Sequence, residues 1–235
     1  MTDGPRGPRG PHDDDERLIL LLVGAVGAGK GTQAKILSRE LGLMHLASGN
    51  LFRSALAAGT RLGDTARQYM ERGELVPDEI TIGMVMEALR SPAARAGAIL
   101  DGFPRTVRQA TALDDTLAAS GEQIRRVLYI EVPFEELVRR VAGRWICPLC
   151  GTPYHIDSDP PRVAGQCDRD GTALRQRDDD RPEVVRARLA KQVPPMLEVV
   201  DHYERAGTVD RLDGTQPIES VREAILARIG SRAAS

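Results

Sequence analysis

Lysine is almost absent from this chain: three lysines stand against 29 arginines. A lysine that falls where a motif demands one is therefore informative. Cysteine is scarce as well. Three cysteines, two of them in a C-x-x-C pair, are too few for a disulfide framework and fit a metal site in a reducing compartment. No apolar run approaches the roughly 18–20 residues of a membrane span, so no spanning helix is expected. The arginines bring no basic excess, since the formal net charge is −2, and nucleic acid is not implied as an obligate partner. The opening residues lack the charged, apolar and small-residue order of a signal peptide, so a cytoplasmic protein is expected.

What is present begins with enough apolar material for a sizeable core. Of 235 residues 41% are hydrophobic, which predicts one main domain with insertions. Residues 1–16 stand apart. Gly4-Pro5-Arg6-Gly7-Pro8-Arg9-Gly10-Pro11 cannot form helix or sheet, and Asp13-Asp14-Asp15-Glu16 repels itself. A disordered tail is predicted, with a short interaction arm as the alternative. Two Gly-Pro-Arg units are too few for a collagen triple helix.

The rest of the chain is organised around Gly24-Ala25-Val26-Gly27-Ala28-Gly29-Lys30-Gly31-Thr32-Gln33. It follows Leu18 to Val23, which reads as a strand buried on both faces. It precedes Ala34 to Leu41, whose apolar spacing and end at Gly42 read as a helix. Strand, Gly-rich turn and helix are the context of a phosphate-binding P-loop. The glycines let backbone N–H groups converge on phosphate oxygens, the helix N-terminus adds partial positive charge, and Lys30 supplies a full charge for the β- and γ-phosphates. Gly31 follows the lysine, so the hydroxyl comes one place later, at Thr32. A chance Gly-rich turn is the competing reading; the scarcity of lysine argues against it.

Further along, Met44 to Asn50 reads as a short strand passing into a turn, Leu51 to Ala58 as a helix, and Asp64 to Arg72 as a second helix ended by Gly73. Asp78 is a good N-cap for an apolar-periodic helix from Glu79 to Arg90. Ala98 to Leu100 is a buried strand ending in Asp101-Gly102-Phe103-Pro104-Arg105-Thr106. In a P-loop protein an acidic residue at a strand's carboxyl end organises Mg²⁺, while a turn or helix cap is the plainer reading of Asp101. A helix from Val107 to Ala119 and a strand from Arg126 to Val132 extend a βαβα order, hence a parallel sheet. Pro182 to Val193 and Met196 to Arg205 read as two helices split by Pro194-Pro195. Thr208 to Leu212 is a last strand, and Ile218 to Ile229 a closing helix with Ile218, Val221, Ile225 and Ile229 on one face.

The cysteines lie between these elements. Cys147-Pro148-Leu149-Cys150-Gly151 and Cys167-Asp168-Arg169-Asp170-Gly171 are two knuckle-like turns with ligands at i and i+3 and a glycine after each. Together they suit one tetrahedral Zn²⁺ held by Cys147, Cys150, Cys167 and Asp170, with His155 a rival fourth ligand. The segment between is polar and proline-rich and cannot build its own core, which a metal can replace. With every position filled, the metal is structural. Three free cysteines are the alternative. His45, His155 and His202 carry no spacing that argues catalysis.

Several of these stretches carry a resemblance. Gly24 to Gln33, Ser48-Gly49-Asn50-Leu51-Phe52-Arg53, Asp101 to Thr106 with Gln109, Gly143-Arg144 with the following cysteines, Arg177-Asp178-Asp179 and Asp213-Gly214-Thr215 occur in the order and at the spacing of the adenylate kinase family. The chain resembles that family, in its bacterial long-lid, zinc-binding type, over about residues 17–230. The resemblance implies an α/β fold with a P-loop NTPase-like core and a five-stranded parallel sheet. The core would comprise 17–46, 77–143 and 181–235, with an AMP-binding insertion at 47–76 and a zinc-bearing lid at 144–180. It implies transfer of a phosphoryl group from ATP to AMP, giving two ADP, with Mg²⁺ accompanying ATP, and a monomer.

Residue by residue, the resemblance places Gly27, Ala28, Gly29, Lys30, Gly31, Thr32, Arg140, Arg144, Pro153, Tyr154 and Gln216 at ATP. At AMP it places Ser48, Arg53, Glu74, Leu75, Val76, Gly102, Phe103, Pro104, Arg105 and Gln109, which reads the adenine edge. Arg177 and Arg188 serve the transferring group and AMP, and Lys30, Arg105, Arg144, Arg177 and Arg188 form the catalytic ring. Thr32 and Asp101 are assigned to Mg²⁺, Asp101 through water, and Asp170 is favoured as fourth zinc ligand. Asp179 and Asp180 would orient arginines or hinge the lid, while a solvated acidic run accounts equally for Asp178. Three positions depart from the pattern. Val26 stands for proline, Ser48 for threonine, and Asn50 for aspartate, which removes a charge near the phosphates or Mg²⁺.

No base is needed, because the attacking phosphate is already ionised; alignment, charge neutralisation and exclusion of water suffice. Two alternatives remain. One is another nucleoside monophosphate kinase, of UMP/CMP type or using GTP. The other is a P-loop switch with a zinc-ribbon binding module, against which stand the missing Asn-Lys-x-Asp motif and the few basic and aromatic residues of the zinc segment.

Overall fold

Strand β1 (Leu18–Val23) runs through the middle of the protein, and its alternation divides the core in two. In the computed structural model, which describes residues 17–72, 74–177 and 180–230 (backbone alone at 61, 62, 70 and 71), its Ile19, Leu21 and Val23 face one apolar layer and its Leu20 and Leu22 the other. Side chains of successive strand residues point to opposite faces, so a run of apolar residues is what a strand covered on both sides requires. It pairs in parallel with β3 (Gly97–Asp101) and β4 (Ile124–Glu131). With β2 (Met44–Ala47) and β7 (Val209–Asp213) outermost, the five-stranded sheet has the order β2-β3-β1-β4-β7, parallel throughout.

One layer holds α4 (Asp78–Leu89) and α5 (Val107–Ala118), through Val85, Met86, Leu89, Ala110 and Leu113. The opposite layer holds α1 (Lys30–Leu41), α6 (Phe134–Ala142) and α8 (Ile218–Gly230), through Ala34, Leu37, Leu137, Val138, Val141, Val221 and Ile225. The expected five-stranded parallel sheet flanked by helices is thus the fold found.

Several elements differ from the sequence-based expectations. Helix α1 starts at Lys30, and α2 (Ser48–Ala57) follows β2 directly, so Ser48 opens a helix instead of a turn. Asp78 is the first residue of α4 and not its cap, because Pro77 takes the cap position. Residues 134–142, where the sequence pattern predicts no element, form α6, whose Leu137, Val138 and Val141 are buried. Ile218 is 54% exposed and does not share the buried face of Val221 and Ile225.

The two helices expected around Pro194-Pro195 are one helix, α7 (Pro182–Arg205). A proline inside a helix removes a hydrogen bond, yet its fixed φ near −65° is itself helical. Packing holds this helix on both sides of the prolines. Val185 and Leu189 are buried in the layer of α1 and α8, while Met196, Val199, Val200 and Tyr203 are buried in the layer of α4 and α5.

Two segments carry small apolar clusters of their own. Helices α2 and α3 (Arg61–Glu71) pack together, and Phe52, Ala66 and Val76 are buried there with Tyr69, Ile80 and Met84 against them. In the stretch from 144 to 177, β5 (Arg144–Ile146) and β6 (Pro153–His155) form an antiparallel pair, bridged to Arg175. Its apolar cluster is Cys147, Tyr154, Cys167 and Leu174, with Trp145 against them. The expectations for the tail at 1–16, for Gly73 as a helix stop, and for Asp178 and Asp179 lie outside the described residues.

Candidate active site

The carboxyl ends of β1 and β3 meet the amino end of α1, and there Lys30, Asp101 and Arg105 come together. Gly24 and Gly27 have φ of +152° and +88°. A Cβ on Gly24 would lie 2.8 Å from the Ile130 carbonyl oxygen, and one on Gly27 2.8 Å from Val141 Cγ2. Both positions therefore exclude a side chain. The chain turns back so that Lys30 Nζ donates to the Ala25 carbonyl at 2.9 Å, while Thr32 N donates to the Gly29 carbonyl.

The cations of the predicted ring act on one another. Lys30 is pushed down to about 8, chiefly by burial; Asp101 opposes this, and Arg105, Arg188 and Arg144 add to it. Arg105 is pushed down to about 10, again by burial first, then by Arg188 and Arg53 against the pull of Asp101. Lys30 thus has Arg105, Arg188 and Arg144 for neighbours, and Arg105 has Arg188 and Arg53. Asp101 ends β3 with Oδ2 3.4 Å from the place of a Cβ on Gly31, so it faces the first turn of α1. Burial by itself would raise its carboxyl. His45 Nε2 at 3.2 Å, Lys30 and Arg105 outweigh that and hold it below the usual carboxylate range. Nothing in the spacing of His45 announced this contact.

Across the cleft, Ser48 is buried and its hydroxyl donates to the Gly102 carbonyl at 2.6 Å, an oxygen shared with Arg105 Nε at 2.7 Å. Asn50 takes Arg53 as partner: its Oδ1 accepts from the guanidinium. The neutral amide orients the cation without cancelling its charge. Gln109 is buried, with Oε1 accepting from Arg105 N and Nε2 donating to Asp78 Oδ1, both at 2.7 Å. Glu74 pairs with Arg72 at 3.0 Å and with Lys191 of α7 at 3.6 Å, Leu75 is half-buried, and Val76 is buried in the cluster of α2 and α3.

On the other flank Arg144 grips fully buried Asp180 through two hydrogen bonds, of 2.8 and 2.5 Å, so Asp180 orients an arginine as expected. Arg177 is half-buried just before it. Arg140 donates to Glu136 at 2.7 Å and to the Gly214 carbonyl at 2.9 Å, tying α6 to the loop of Gln216. Hydrogen bonds from Arg139 first, and from Arg140, bring Glu136 down to about 2. Pro153 is exposed on β6, and Tyr154 turns into the cysteine cluster. Its phenolic oxygen accepts from Asp168 N at 2.8 Å and lies 3.4 Å from Cys167 Sγ.

Cys147, Cys150, Cys167 and Asp170 bring their ligand atoms within 4.8 Å of one another. Cys150 Sγ and Cys167 Sγ are 3.6 Å apart, and Cys147 Sγ is 3.4 Å from either Asp170 oxygen. Tetrahedral zinc with metal–sulfur bonds of about 2.3 Å spans ligand pairs about 3.5–3.8 Å apart, so this donor set can hold such an ion. His155 is elsewhere. Its Nδ1 accepts from Asp157 N and Ser158 N, and its Nε2 lies 3.4 Å from the Arg139 carbonyl.

A parallel sheet with this strand order, carrying a Gly-rich turn and a lysine between its central strand and α1, defines the P-loop nucleotide-binding class. Residues 22–208 match the family model described as adenylate kinase. The chain is 46% identical over 215 residues to an adenylate kinase of Exiguobacterium sibiricum, covering 92% of this chain and all of that one. An adenylate kinase of Staphylococcus aureus is 44% identical over 209 residues, covering 89% and 97%. That of Oceanobacillus iheyensis is 44% identical over 204 residues, covering 87% and 95%. This chain belongs to the adenylate kinase family.

Proposed function

We propose that the chain transfers the terminal phosphoryl group of ATP to AMP, reversibly, giving two ADP. The observation that carries this reading is the P-loop lysine, Lys30, buried beside Asp101 and Arg105 at the carboxyl ends of β1 and β3, with Arg188 and Arg144 near enough to act on it. Several cations gathered at a P-loop suit a ligand that brings several phosphates. The backbone of Gly27, Ala28, Gly29 and Gly31 cradles the donor phosphates, which Arg140 and Arg144 also reach, and the backbone of Gln216 holds the donor's base end. Ser48, Arg53 and the stretches 74–76 and 102–105 hold the acceptor, and Gln109 meets its base.

An oxygen of the AMP phosphate attacks the γ-phosphorus, and the bond from that phosphorus to the bridging oxygen breaks, leaving ADP on both sides. No proton has to move. Lys30, Arg105, Arg144, Arg177 and Arg188 neutralise the charge that spreads over the transferred oxygens. Mg²⁺ supplies further neutralisation when bound. Asp101, held ionised beside the first turn of α1, and the exposed Thr32 hydroxyl fit such a hard cation, Asp101 through water. The Cys147, Cys150, Cys167 and Asp170 set suits zinc in a structural role, since four protein ligands leave no position for a reacting water.

A coupled assay with AMP, CMP, UMP and GMP as acceptors and ATP as donor tests the reading. AMP is expected to be preferred by well over about 10² in kcat/KM, since a hydrogen-bonding site rejects a partner that leaves its groups unpaired more strongly than an apolar pocket does. Preference for CMP or UMP would move the chain to the pyrimidine nucleotide kinases.

A further inference from the structure

A buried side-chain amide can sit in its site in two ways, because half a turn about its last bond exchanges donor for acceptor. Around Gln109 two neighbours remove that freedom. The backbone N–H of Arg105, which can only donate, meets Oε1 at 2.7 Å. Asp78 Oδ1, which as a carboxylate can only accept, meets Nε2 at 2.7 Å. The other carboxylate oxygen is fixed by the Thr106 hydroxyl at 2.9 Å, and Thr106 in turn caps α5 by accepting from Gln109 N at 3.2 Å. Asp78 is anchored as the first residue of α4. Reversing the Gln109 amide would set N–H against N–H on one side and oxygen against carboxylate on the other.

We propose that Asp78 is a positioning residue that sets the base specificity of the acceptor site by locking the Gln109 amide in one orientation. The inference rests on Gln109 being the group that meets the acceptor's base. After its two fixed contacts the amide keeps one N–H and one oxygen lone pair, in an order that cannot be exchanged. A 6-aminopurine complements that order, since its amino group donates to Oε1 while N1 accepts from Nε2. A 6-oxopurine presents the reverse pair, with O6 accepting and N1–H donating, and needs the reversed amide. Discrimination between the two bases therefore resides in Asp78 and the Arg105 N–H as much as in Gln109.

The test is the Asp78→Asn variant, whose own amide can donate as well as accept, assayed with ATP and either AMP or IMP. One of the two constraints on Gln109 is then gone. The kcat/KM ratio of AMP to IMP should fall by about tenfold or more, with IMP gaining in absolute terms and KM for ATP unchanged. A purely structural role would lower the melting temperature and both kcat/KM values together, leaving the ratio intact; that result overturns the proposal while the reading of Gln109 stands. A wild-type protein that does not prefer AMP over IMP overturns both. Should the variant fold poorly, side-chain amide NMR of the unmodified protein decides. A Gln109 NH₂ signal protected from solvent exchange and bonded to a carboxylate supports the lock, and a freely exchanging one overturns it.

Discussion

At the scale of single residues, the account turns on Lys30, one of three lysines in an arginine-rich chain. Its ammonium donates to the Ala25 carbonyl amid other cations, and burial brings it down to about 8 from 10.5. Between those values the unfolded chain holds a proton that the folded chain has released. The stability of the nucleotide-free protein should therefore rise with pH from about 8 to 10.5, the full cost of a buried charge being felt below about 8. Urea unfolding of the parent and of Lys30→Met at pH 7.5 and 10 measures this contribution as a difference; a difference that does not move with pH contradicts it. In catalysis the same substitution should lower kcat by about 10³–10⁵, the usual worth of a cation at a transferring phosphoryl group. A variant keeping more than about a tenth of the activity would remove Lys30 from that role.

At the scale of elements, the segment holding the cysteines is a hairpin whose few buried side chains centre on Cys147 and Cys167. Metal should therefore hold it together. Removing zinc with a chelator should lower the melting temperature and shift the fluorescence of Trp145, the only tryptophan in the chain and one packed against that cluster. Asp170→Cys should keep the metal, Asp170→Ala should bind it more weakly, and Cys167→Ala should melt well below the parent. Parent-like melting of Cys167→Ala would contradict a structural metal. The paired ligands of this segment were legible because each turn repeats one local spacing. So were β1 and the P-loop, where apolar run, glycines and lysine are contiguous. Other features were hidden for physical reasons. Helix α7 passes through Pro194-Pro195 because its halves are anchored in different layers, which no local propensity expresses. Helix α6 is short and four of its nine residues are charged, so Leu137, Val138 and Val141 make only one brief apolar stripe in the sequence. Asp78 before a helix reads as a cap, and its bond to Gln109, 31 residues on, is purely tertiary.

At the scale of the whole molecule, a five-stranded parallel sheet carries the P-loop, and two further segments have small apolar clusters of their own. We infer that stretches 47–76 and 144–180 close over donor and acceptor, bringing the arginines together around the phosphates and shutting out water that would otherwise take the phosphoryl group. Small-angle scattering should show a smaller radius of gyration with a bisubstrate analogue than without it; an unchanged radius contradicts closure. The central claim is phosphoryl transfer between nucleotides, and ³¹P NMR of the protein with Mg²⁺, ATP and AMP tests it most directly. The β-phosphate signal of ADP should grow as AMP and ATP decline together without inorganic phosphate. Starting from ADP alone, the same mixture should be reached from the other side. Release of inorganic phosphate with AMP untouched would contradict the account.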